Sequence, residues 1–249
     1  MNQLTACLIT FNEESNLPRA LASLRGVADE IIVVDSGSRD ATVEVARAHG
    51  ARVVDRAWTN YSEQKNFAAA QATHDWVLSL DADEELSPEL RASLLEWKQH
   101  APDAAAYEFS RRANYLGEWI RHSGWYPNRQ IRLYRRDAAS FAGTVHESLR
   151  VNGQVMRLPG DIYHYTMSTY AEHAAKVEGY TTLAAQQLFD AGKRSWRLAM
   201  MASPPWTFFQ KFILRAGFLD GRRGWLIARM AARYTYLKYR KLGVIVEKV

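Results

Sequence analysis

Trp76-Val77-Leu78-Ser79-Leu80-Asp81-Ala82-Asp83 is an apolar run that ends on two carboxylates. The run has the length and composition of a strand buried on both faces. At its end the chain turns, and both acids can reach a ligand in the crevice outside the carboxyl edge of an open α/β sheet. Two hard oxygen ligands in a basic, aromatic-rich chain suit a divalent cation holding a diphosphate. Upstream, the same pattern repeats. Leu4 to Thr10 reads as a strand, followed by a helix from about Ser15 to Leu24. Ile31-Ile32-Val33-Val34 is β-branched throughout and is followed by the turn Asp35-Ser36-Gly37-Ser38. Asp40 caps the next helix and Gly50 ends it. Arg52 to Val54 is a third strand, Tyr61 to Gln71 a helix, and Ser87-Pro88-Glu89 opens another. Strands alternating with helices of this length predict a parallel sheet in an α/β fold.

Beyond about residue 103 the alternation stops. Strands are expected at Ala105–Ser110, Gln130–Tyr134, Val151–Met156 and Asp161–Tyr165, with an aromatic, basic loop over Tyr115–Arg129. Residues 168–190 read as a helix closed by Gly192. The expected organisation is a main domain over 1–192, divided into 1–102 and 103–192, and a helical tail over 193–249. In the tail Pro204-Pro205 is expected to break the chain. Helical segments at about 206–219 and 224–241 follow, split by Asp220-Gly221. Leu226, Met230, Tyr234 and Leu237 share one face of the last segment, and Arg229, Arg233 and Arg240 another. A basic amphipathic helix with aromatic residues suits an anionic membrane surface, contacted through 195–249. The alternative is that its apolar face packs on the body or on a second subunit.

The net charge of +5 hides an asymmetry. From Lys193 onward 13 basic residues stand against two acidic ones, a net +11, and the preceding residues sum to −6. An acidic body with a basic tail implies an anionic partner for the tail. The one cysteine, Cys7, excludes an internal disulfide and reads as a buried, inert thiol. No run of 18 apolar residues is present, so no membrane span is expected. The opening MNQLTACLITFNEE has no basic segment and too short an apolar run for a signal peptide.

No G-x-x-x-x-G-K-[ST] loop occurs, and no G-x-G-x-x-G follows a strand. Carboxylates and cations must therefore hold any nucleotide. Four segments fall at strand ends or on the helix that follows: Thr10-Phe11-Asn12-Glu13, Asp35-Ser36-Gly37-Ser38, Lys65-Asn66 and Asp81-Ala82-Asp83. The ordered set ITFNEE, IIVVDSGSRDAT, QKNFA and VLSLDADE resembles the donor-binding half of family 2 glycosyltransferases with the GT-A fold. NRQIRLYRR, GTVHE, FFQKFILRAGFLDG and YLKYRKL extend the resemblance to lipopolysaccharide inner-core glycosyltransferases that add glucose to a heptose.

The resemblance implies a mixed sheet flanked by helices, a metal-dependent inverting transfer, and a UDP-linked donor, UDP-glucose foremost. It implies a lipid-linked glycan acceptor and work in the cytoplasm, at the inner face of a bacterial inner membrane. Thr10, Asn12, Glu13, Asp35, Ser36, Lys65, Asp81, Ala82 and Arg132 would bind the nucleotide-sugar. Asp83 would ligate Mg2+ or Mn2+ directly, with Asp81 on the ribose or a metal-bound water, and His164 would complete the metal shell. Glu147 would be the general base, with Asp103 and Glu118 as further options, and His146 its neighbour or a metal or phosphate contact. Trp125 and Tyr126, with Arg129, would face the sugar or acceptor, aromatic rings offering apolar faces and arginines bidentate bonds to phosphate. Each has an ordinary alternative: Asp35 as a turn former, Lys65 as a surface charge, His164 as a structural histidine, the arginines as a solvated strand edge. A nucleotidyltransferase would carry a glycine-rich basic loop where Asn12-Glu13-Glu14 stands. A nucleic-acid binder would leave the acidic crevice unexplained, and no nucleic acid is expected as a partner.

Overall fold

The computed structural model describes residues 1–143 and 147–248 of the chain. They form two compact units, residues 1–111 with 128–164, and residues 112–127 with 165–249.

The first unit is built on a mixed sheet with strand order β3-β2-β1-β4-β8-β6-β11-β5. β1 (Leu4–Thr10), β2 (Glu30–Asp35), β3 (Arg52–Asp55) and β4 (Trp76–Ser79) are parallel. β1 is central, with β2 on one side and β4 on the other, so the connection reverses direction there and opens a crevice at the carboxyl ends. Side chains alternate between two cores. Leu4, Ala6, Leu8, Trp76 and Leu78 pack with α1 (Leu17–Leu24) and α4 (Pro88–Trp97). Cys7, Ile32, Val34 and Val77 face α3 (Tyr61–Ala70) on the other side. α2 (Thr42–Ala48) links β2 to β3; Asp40 accepts from the Thr42 N–H, as a cap would, although the helix opens from Ala41.

The remaining strands are β5 (Glu84–Leu86), β6 (Ala106–Tyr115), β8 (Asn128–Arg135) and β11 (Val155–Met167). β8 is antiparallel to β4, and β5 to β11, placing His164 opposite Glu84. β9 (Ala139–Ala142) and β10 (Ser148–Val151) form a separate hairpin. Two sequence expectations are corrected here. The short strands at 151–156 and 161–165 are one strand of 13 residues, preceded by β10. The three-residue β5, directly after the acidic pair, was not expected because so short a strand carries no periodic signal.

In the second unit β7 (Glu118–Trp119) pairs with the end of β6. α5 (Tyr170–Asp190), α6 (Arg197–Phe209), a π-helical turn (Gln210–Leu214), a 3-10 turn (Gly217–Asp220) and α7 (Gly221–Val246) complete it. Pro204 and Pro205 do not break the chain; they lie inside α6. Their fixed φ is helical, and packing along α7 offsets the lost N–H donors. The apolar face expected on α7 is turned inward: Met230 and Leu237 are buried and pack with Val177 of α5, Leu226 and Tyr234 are half-buried, and Ile227 beside them is buried as well. No described helix is long and apolar enough to cross a membrane.

Candidate active site

The loop after β1 and the loop after β2 are tied to each other. Register places Thr10 beside Asp35, and the Thr10 hydroxyl donates to the Asp35 carboxylate at 2.9 Å. Asp35 also accepts from the backbone N–H groups of Gly37 and Ser38 and from the Ser38 hydroxyl. Gly37 has φ +86°, the left-handed conformation that lets this tight turn close. Asp35 is buried, and all these bonds go to its own turn and to β1. Asn12 accepts from the Arg39 N–H and receives support from Ser38; Glu13 accepts from the Asn16 amide. The Ser36 hydroxyl accepts from Gln64 of α3.

Above these loops lies a cleft of about 470 Å³ lined by Ile9, Thr10, Phe11, Glu13, Ser36, Trp58 and Tyr61. Trp58 and Tyr61 meet edge to face at 4.8 Å. Phe11, Trp58 and Tyr61 stay exposed although each is strongly apolar. Sequence reasoning passed over Trp58 and Tyr61, and gave Phe11 no role of its own within the segment Thr10-Phe11-Asn12-Glu13. The available signal was aromatic residues in segments that follow strands.

A second cleft of similar volume contains Lys65, Asp81, Arg111, Arg132 and Glu147. Lys65 is almost fully buried, and its ammonium lies 2.9 Å from Asp81 and 3.2 Å from Glu147. Arg132, equally buried, reaches Asp81 at 2.6 Å and Glu84 at 2.9 Å. Burial opposes charge on Asp81. Arg132 and then Lys65 outweigh it and hold the carboxyl well below its ordinary range. Burial also opposes the charge of Arg132, yet Asp81 and Glu84 push its pKa up.

Glu84 was missed by the sequence reading. Its side chain is wholly buried, pairs with Arg132 and Arg111, and accepts from the Asp81 N–H at 3.0 Å. It fixes both the backbone and the partner of Asp81.

Asp83 stands apart from that network. Its carboxylate lies 3.2 Å from Nε2 of His164, brought there by the pairing of β5 with β11. The separation is that of a direct ion pair, and a carboxylate oxygen with an imidazole nitrogen is a donor set that would also suit a divalent cation. Among the described residues no group of three or more such side chains is assembled. Two protein ligands completed by phosphate oxygens and water are what a nucleotide-bound Mg2+ commonly has. Ala82 is buried between the two acids.

Of the remaining expected residues, Arg129 is exposed and 3.7 Å from Glu108. Trp125 and Tyr126 belong to the second unit: Trp125 packs edge to face on Tyr115, and Arg112 stacks over Tyr126. His146 lies outside the described residues.

Residues 5–150 match the glycosyl transferase family 2 profile. The chain belongs to that family. It is 33% identical to an uncharacterized glycosyltransferase of Rickettsia typhi, over 97% of this chain and 87% of that one. It is 29% identical to the lipopolysaccharide core biosynthesis glycosyltransferase LpsC of Rhizobium meliloti, over 96% of this chain and 91% of that one. TarS of S. aureus, solved with UDP-GlcNAc, matches 99% of this chain and 91% of its own with a TM-score of 0.50. At 16% identity, that is a likeness of fold. The glycosyltransferase thus has the expected mixed sheet between helices, with a long C-terminal helix in addition.

Proposed function

We propose that this glycosyltransferase moves a hexose, glucose foremost, from a UDP-linked donor to a lipid-linked glycan of the lipopolysaccharide-core type. The observation that carries the reading is the cluster at the carboxyl edge of β4. There Asp81 is pinned by two buried cations, while Asp83 and His164 remain as a pair. The relative named for lipopolysaccharide core biosynthesis supports the acceptor class. Phe11, Trp58 and Tyr61 give the uracil ring surfaces to stack on. Asp35 acts on the nucleoside by shaping the turn that carries Ser36.

Asp83 and His164 would hold Mg2+ or Mn2+, which supplies a Lewis acid against the charge of the leaving diphosphate. Lys65 and Arg132 line the cleft beside Asp81 and add positive charge toward the diphosphate. Glu147 serves as general base. The acceptor hydroxyl oxygen forms the new bond to the anomeric carbon, and its proton passes to Glu147. The bond from that carbon to the phosphate oxygen breaks, and its electron pair leaves with UDP. Attack opposite the leaving group inverts the anomeric centre. The enzyme works at the cytoplasmic face of a membrane, where a lipid-linked acceptor is presented.

Calorimetric titration of UDP into the protein, with Mn2+ and with EDTA, tests this reading. Binding that needs the metal is expected. Absence of binding by both UDP and ADP in either condition would overturn the nucleotide site.

A further inference from the structure

α6 carries its apolar face outward. Leu198, Met201, Ala202, Pro205, Trp206 and Phe209 recur at helical spacing on one side, and every one is exposed. Leu198 and Met201 are 75% and 73% exposed, values that a packed side chain never reaches. The opposite side, with Thr207 and Phe208, is half-buried, and Thr207 meets Thr235 of α7. No residue of α6 is fully buried. From Leu198 to Gln210 the chain has no charged residue. The stripe continues through Ile213 and Leu214 to Phe218 and Leu219, all exposed.

Cations frame this surface. Lys193, Arg194 and Arg197 precede the stripe, and Lys211, Arg215 and Arg222 lie in and after its last part. The only acid between Lys193 and Arg222 is Asp220, whose carboxylate is buried against the backbone N–H groups of Arg121 and His122 and the His122 ring. A helix of 13 residues is about 20 Å long, too short to span a bilayer but suited to lying in its interface.

We infer that the outer face of α6 and the turns after it dock on an anionic lipid bilayer, with α6 in the interfacial plane. α7, which buries Ile227, Met230 and Leu237, supplies the support for this surface. The occupant follows from charge. In a two-fold dimer through this face the Arg194–Arg197 end of one copy would meet cations of the other. An anionic bilayer pairs with both ends while its acyl boundary takes the apolar stripe. The inference rests in part on the reading that the acceptor is lipid-linked, and names the surface that brings the enzyme to it.

The test is co-sedimentation of the full chain with phosphatidylcholine vesicles, with and without one-third phosphatidylglycerol. Binding to the anionic vesicles is expected, weakened by high salt. Met201→Glu with Phe209→Glu changes two exposed side chains and should lower the partition at least tenfold. A second variant, Arg194→Gln with Arg197→Gln, should reduce the preference for the anionic vesicles. Circular dichroism and UDP titration of the same variants should match the parent, which separates failure of docking from failure of the nucleotide site. Equal vesicle binding by the parent and the Glu pair would overturn the proposal. So would a parent that ignores vesicles and forms a dimer which the Glu pair dissociates.

Discussion

Asp81 and Asp83 stand two positions apart and answer to different partners. Asp81 carries ion pairs from Lys65 and Arg132; Asp83 faces His164. Asp83→Ala should therefore abolish the metal-dependent part of UDP binding and leave the thermal midpoint almost unchanged. An unaltered affinity in Mn2+ by calorimetry would remove Asp83 from the site. Glu147→Gln should bind UDP as before and lose transfer by about 100-fold or more, the usual scale for a lost general base. Turnover near the parent's would place the base elsewhere. Glu84→Gln leaves two arginines facing a neutral amide in a buried setting, at a cost of about 3–5 kcal/mol, readable in urea unfolding. The acids at 81 and 83 were legible because an apolar run led straight to them. Glu84 was not. An acid just before Ser87-Pro88 looks like ordinary helix-start chemistry, and only the pairing of β5 with β11 reveals its burial.

At the scale of elements, the parallel half was legible because each strand is apolar on both faces and each turn carries glycine or a capping residue. The antiparallel half was blurred. β11 contains Pro159 and Gly160, which look like a loop in sequence but occur within one long strand. Gly160 there has φ +98°, and a Cβ at that position would collide with the Leu90 backbone. Glu30 shows how the parallel strands are joined: it accepts from Thr5 of β1, Arg52 of β3 and Thr73 ahead of β4. Burial works to raise its pKa. The bonds from Thr73, Arg52 and Thr5 prevail and lower it from 4.5 to about 2. A carboxyl depressed by folding stabilises fully above its unfolded pKa and loses that contribution as pH falls through the folded value. Stability should thus decline between about pH 4.5 and pH 2. Glu30→Gln should flatten this part of a pH series of urea midpoints; an unchanged slope would assign the decline to other acids. In the second unit a Cβ on Gly224 would collide with the Gly217 carbonyl oxygen. Gly224→Ala should destabilise by about 1–3 kcal/mol, the scale of overpacking, seen as a lower thermal midpoint.

For the whole molecule, ligand binding and stability are linked. A ligand at 100 times its Kd adds about 2.7 kcal/mol to the folded state. UDP with Mn2+ should raise the thermal midpoint by several degrees, and EDTA should abolish the shift. The charge asymmetry of the chain was plain in its sequence, but which part of the tail faces outward was not. Periodicity marks an apolar stripe without saying whether protein or solvent covers it, and here α7 turned its stripe in while α6 turned its stripe out. That outward stripe sets terms for handling the protein. A newly made chain must carry Leu198, Met201, Trp206 and Phe209 through water before reaching any bilayer. Concentrated stocks will clump through this patch, and mild detergent or lipid nanodiscs will keep them dispersed.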